Sequence, residues 1–150
     1  MAIYSVRRKY GKPNIVRIQE ASASSANDWY AGDLVKVDSS GELVIATAGA
    51  IYGIARSAAS GTASTWHNVD VLGHDDIITV KYKASATTEG LTTDTVDFTF
   101  TANGHTVDES GASTDAVVVG FDPINAIGAT GGRLLVKILP AAIQTGAGGK

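Results

Sequence analysis

The chain contains no cysteine, so neither disulfides nor thiolate metal sites hold it together. No run reaches the ~18 apolar residues of a membrane-spanning helix, and the opening stretch MAIYSVRRKYGK lacks the apolar core of a secretory signal. The expectation is a protein made in a cytosol, not exported by the usual route and without a membrane partner. No apolar stripe with a 3.6-residue period runs for ten or more positions, which argues against a helical bundle. Acidic residues are missing from the first nineteen positions, where Arg7, Arg8, Lys9, Lys12 and Arg17 stand alone. That segment carries +5, so with a net charge of −3 the remainder carries −8.

Chemistry-bearing motifs are scarce as well. GATGG at 128–132 has no Lys-Ser/Thr after it and precedes a strand pattern, unlike a phosphate-binding loop. Serines and aspartates abound, yet no Gly-x-Ser-x-Gly elbow presents a nucleophile. Of His67, His74 and His105, only His74 has carboxylates beside it, Asp75 and Asp76, and the spacing indicates no third metal ligand. Asp75/Asp76 and Asp108/Glu109 are sequence neighbours in turn-like segments, not a matched acid and base. The expectation is a non-enzymatic protein with no cofactor and no metal.

What is present is period two. VDFTFT places Val96, Phe98 and Phe100 on one face, IITVKYKA places Ile78, Val80 and Tyr82, and RLLVKIL places Leu134, Val136 and Ile138. LVKVD, ELVIA, AIYGIAR, WHNVDVL and AVVVGF are further short runs rich in β-branched residues. The segments between them are Gly/Ser/Thr-rich turns, and seventeen glycines fit many tight corners. A chain with 44% hydrophobic residues builds a real core. The reading is an all-β protein, a small barrel or sandwich. It divides into an extended N-terminal arm over 1–28, a β body over 29–140 and a flexible tail over 141–150.

The arm invites a partner. Its cations alternate with Tyr4, Val6 and Tyr10, and Ile15, Val16 and Ile18 follow, which a purely solvating tail does not need. An acidic protein surface is one partner and nucleic acid the other, although five phosphate contacts give a salt slope of only about −4.5. A nucleic-acid-binding barrel or a carbohydrate-binding module would add Trp29, Trp66 or Tyr82 as a stacking platform. Core or subunit-interface roles for these aromatics are favoured.

YAGDLVKVDSSGELVIATAGAIYGIAR resembles the head decoration, or capsid cement, proteins of tailed bacteriophages. Gly32, Asp33 and Val35 match that family's Gly-Asp-x-Val strand, and Gly53, Ile54 and Ala55 its Gly-Ile-Ala strand. VVVGFDPINAIGATGGRLLVKILP is similar to the family's closing strands. The resemblance implies a β-tulip-like body that binds the outside of an assembled capsid as a homotrimer. It implies the virion surface as location and the major capsid protein as partner, with nucleic acid disfavoured. Ile3, Tyr4, Val6, Arg7, Arg8, Lys9, Tyr10, Lys12 and Arg17 are then the expected capsid-binding arm, adding a strand to the partner by β-augmentation.

Overall fold

The computed structural model describes residues 5–21, 28–47, 49–83, 91, 93–109, 115–122 and 132–144. Among them the chain forms β1 (Val6–Tyr10), β2 (Ile15–Gln19), β3 (Leu34–Val37), β4 (Leu43–Ile45), β5 (Gly53–Ala55) and β6 (Trp66–Val71). There follow β7 (Ile77–Tyr82), β8 (Thr95–Thr99), β9 (Thr106–Asp108), β10 (Ala116–Phe121), β11 (Arg133–Ile138) and a 3-10 turn at Pro140–Ala142. No α-helix occurs among the described residues. The all-β expectation holds.

The larger sheet has the order β1-β7-β11-β10-β8-β9, and β9 returns to pair with β7, in parallel, through Lys81↔Thr106 and Tyr82↔Val107. That return closes β7, β11, β10, β8 and β9 into a five-strand barrel and removes two free edges. β1 occupies the rest of the same β7 edge, antiparallel, from Val6↔Val80 to Tyr10↔Ile77. Alternation fills the interior: Ile78, Val80, Val96, Val118, Leu134, Val136 and Ile138 are all buried. Each such side chain contributes about 1.5–3 kcal/mol of transfer free energy.

The second sheet has the order β2-β6-β5-β3-β4 and curls until Glu20, just beyond β2, bridges in parallel to Leu43 of β4. Its concave side encloses a separate cluster of Trp29, Val35, Leu43, Ala55 and Val69, with Val16 and Ile18 packed against it. Leu34 and Ile54 point the other way and join the barrel's core together with Val6. The two-residue period therefore allots one face of the sheet to each cluster. The β3–β4 turn is tied by the Asp38 carboxylate, which accepts the amides of Ser40 and Glu42.

Gly32 and Gly53 have physical reasons to be glycine. Gly32 has φ of 91°, and its amide donates to the Ala55 carbonyl at 2.8 Å while its own carbonyl accepts from Val6. A Cβ on Gly53 would lie 2.4 Å from the Asp70 carbonyl and 2.7 Å from Val69 Cγ1. Asp33, which follows Gly32, is fully buried and accepts from the Ser5 hydroxyl and from the amides of Tyr30 and Asn103. The Gly-Asp and Gly-Ile-Ala strings thus mark where β3, β5, β6 and the N-terminal segment meet.

Residues 5–21 are extended, and they run as β1 along the barrel and as β2 along the second sheet. At the other end, residues 141–144 are held to the body. Ile51 donates its amide to Ala142, Gln144 donates its amide to Ile51, and the Gln144 amide group bonds both backbone groups of Val37. Residues 1–4, 22–27 and 145–150 lie outside the described set, and with them Ile3, Tyr4 and the rest of the expected tail.

Candidate docking face

The outer surface of the second sheet carries rows of side chains across β2, β6 and β5. One row is Ile15, Asp70 and Ile54, fixed by the pairings Ile15↔Asp70 and Ile54↔Asp70. The next is Arg17, Asn68 and Arg56: Arg17 pairs with Asn68, whose carbonyl accepts the amide of Arg56 at 3.0 Å. Gln19 pairs with Trp66 in the third row. The barrel covers the first row at Ile54, which is 6% exposed, while Arg17, Asn68, Arg56 and Trp66 are exposed.

This open end combines charge with apolar area. The Arg17 guanidinium lies 5.1 Å from the centre of the Trp66 ring, a cation–π contact worth about 0.5–1 kcal/mol at an exposed site. Trp66 is 52% exposed; elsewhere on the first two strands Ile15 (45%) and Tyr10 (55%) are exposed as well. Exposed Trp, Tyr and Arg are the residue types that dominate binding energy at protein interfaces.

Beside β1 lies a groove of about 390 Å3 lined by Arg7, Arg8, Pro13, Ile54, Arg56 and Asp70 among others. Arg8 donates from Nε and Nη2 to the two Asp70 oxygens at 2.8 and 2.7 Å, and from Nη2 to the Val71 carbonyl at 3.0 Å. Its Nη1 lies 2.5 Å from Asp76 Oδ1 in a second ion pair. The hydrogen bonds to Asp70 raise the Arg8 pKa above its ordinary value against the opposing effect of burial. Asp70 also accepts the amide of Asn14 at 3.1 Å. Two carboxylates face Arg8, and Arg7 and Arg56 also line the groove.

A Ser-His-Glu relay lies on the other side of the same sheet. Ser57 Oγ is 2.7 Å from His67 Nδ1, and His67 Nε2 is 2.7 Å from Glu20 Oε1. Those contacts meet the geometric criterion for an activated hydroxyl. The loop amides of Ser60 and Gly61, which could have steadied an oxyanion, donate instead to Glu20, as does the Ser60 hydroxyl. Burial opposes ionisation of Glu20, but these donors and the His67 ring outweigh it and lower its pKa. Trp29 packs edge-on against His67 with ring centres 5.2 Å apart, and its indole N–H donates to the Ser57 carbonyl. The arrangement is a clamp that fastens the loop after β5 to the end of β2.

His105 has a comparable fastening role. Its Nδ1 meets the Thr101 carbonyl at 2.8 Å and its Nε2 accepts the Leu34 amide at 3.0 Å, so the neutral Nδ1–H tautomer satisfies both. His74 and Asp75 approach to 3.5 Å on the exposed surface. Among the described residues no group of three His, Cys, Asp or Glu side chains is placed to hold a metal.

The residues expected to bind a partner divide into two sets. Val6 is 1% exposed inside the barrel core, and Arg8 is committed to Asp70 and Asp76. Arg7, Tyr10, Lys12 and Arg17 are exposed, and Lys9 is half-buried. Trp29 and Tyr82 are buried, at 2% and 6%, which leaves Trp66 as the exposed member of the three aromatics. Sequence reasoning did not single out Arg56 or Asn68. Arg56 follows the GIA strand and Asn68 alternates within WHNVDV, so the period-two pattern was the available signal. Compared with family models, curated proteins and solved structures, the chain matches none.

Proposed function

We propose that this chain is a non-enzymatic structural protein that docks onto an acidic protein surface through the open end of its second sheet. The observation that carries the reading is the Arg17–Asn68–Arg56 row beside the exposed Trp66. Charge complementarity steers the encounter and an aromatic anchor supplies contact area. The sequence resemblance to capsid decoration proteins supplies the class of partner. The surface is the outside of an assembled phage capsid, the chain acts as a homotrimer, and its copies cement neighbouring major capsid proteins.

The fold supports a refinement of how the N-terminal segment takes part. With β1 and β2 built into the two sheets, Tyr10, Lys12 and Arg17 are presented on a prepared scaffold. Little ordering entropy, about 1–2 kcal/mol for each residue fixed, is then lost at these positions on binding. Three copies in a trimer add effective concentration without any new kind of contact.

The test is co-sedimentation with undecorated shells of the major capsid protein, using wild type and Arg17→Glu/Arg56→Glu. Wild type pellets with the shells and the charge-reversed variant stays in the supernatant. Light scattering on the purified chain reports the mass of three copies, and a monomer at all concentrations rejects the trimer.

A further inference from the structure

We infer that the groove between β1 and the end of β5 is a seat for an extended acidic peptide segment of the partner, paired to the outer edge of β1. The inference rests on the docking reading above and names the element that the partner inserts.

Three features converge there. The first is backbone. Val6 donates its amide to Gly32 rather than toward β7. Alternate residues of a strand turn their backbone groups to the same side, and the register runs regularly from Val6↔Val80 to Arg8↔Ile78 before it shifts. The amide and carbonyl of Arg8 therefore face the groove, spaced as one rung of a ladder for an added strand. The second is charge. Arg8 and Arg56 line the groove, and among the described lining residues the one carboxylate, Asp70, is engaged by Arg8. The third is the apolar part of the lining, Ile54, Ala55 and Pro13. An extended peptide alternating carboxylate and apolar side chains satisfies all three, with main-chain bonds to Arg8, carboxylates toward Arg56 and apolar side chains against that lining. A nucleic-acid backbone would use the guanidiniums but has no use for a paired amide and carbonyl.

The test is an NMR titration of the isotope-labelled full chain with acetyl-Glu-Val-Glu-Val-Glu-amide, its Lys-for-Glu counterpart and an oligothymidylate. The Glu peptide is expected to move the amide resonances of Arg8, Ala55 and Arg56, and the Lys peptide to leave them in place. Arg56→Glu and Arg56→Ala, at an exposed position, weaken the Glu peptide by about tenfold or more, as loss of a close charge pair does. Three results overturn the inference: no movement at Arg8, Ala55 and Arg56, movement confined to Arg17, Asn68 and Trp66, or tighter binding of the oligothymidylate in the groove. Movement confined to the open face sinks the groove but leaves the docking reading intact. Failure of wild type to pellet with capsid shells, with the peptide still bound in the groove, sinks the capsid reading alone.

Discussion

Arg8 on β1 and Asp70 on β6 face each other through two nearly parallel hydrogen bonds, 2.8 Å from Nε and 2.7 Å from Nη2. Their side chains are 8% and 7% exposed, so the pair joins the barrel to the second sheet as a mostly buried tie beside the groove. Removing the carboxylate leaves a buried cation. Asp70→Ala is expected to cost at the lower end of about 3–5 kcal/mol, since Asp76 still faces Arg8. Urea denaturation monitored by tryptophan fluorescence checks this. A cost below about 1 kcal/mol would mean the pair is open to water.

A Cβ at position 53 collides with the Asp70 carbonyl as well as with the buried Val69 side chain. Gly53→Ala should therefore destabilise by about 1–3 kcal/mol, the usual penalty for overpacking, although the same change at an unstrained strand position is mildly favourable. Thermal unfolding of the variant gives the answer directly.

Glu20 is held ionised by several donors, so its pKa lies below the ordinary carboxylate value when folded. A carboxylate depressed on folding stabilises fully above its unfolded pKa, about 4.3, and loses that contribution as the pH falls through its folded pKa. Asp115 shifts oppositely, because burial raises its pKa, so the total pH curve mixes the two. The difference between wild type and Glu20→Gln isolates Glu20. That difference is expected to be about 2 kcal/mol near neutrality and to shrink below about pH 4. A difference that does not change with pH would contradict the assignment.

The strands were legible because burial has a period of two. AVVVGF became β10 without a shift of boundary, and Leu134, Val136 and Ile138 point inward as their spacing demands. The N-terminal segment was read as an arm because its five cations stand without an acidic residue before Glu20. A strand with one buried face needs few apolar positions, however, and Val6 is enough to seat β1. The clamp of Ser57, His67 and Glu20 was not legible, since Glu20 and His67 are 47 residues apart. Nor was the Arg17–Asn68–Arg56 row, which depends on the register among three strands.

The open face is separable from the fold. Arg17 and Trp66 are exposed and bridge no buried group among the described residues, so Arg17→Glu and Trp66→Ala should each change stability by less than about 1 kcal/mol. Wild-type-like denaturant midpoints together with lost partner binding would separate docking from folding.

The most direct measurement of the central claim is the fraction of protein that pellets with undecorated capsid shells, wild type against Arg17→Glu/Arg56→Glu. The account predicts saturable pelleting of wild type and none of the variant, with near-UV circular dichroism unchanged between them. Equal pelleting of the two proteins, or wild type remaining in the supernatant, would contradict it.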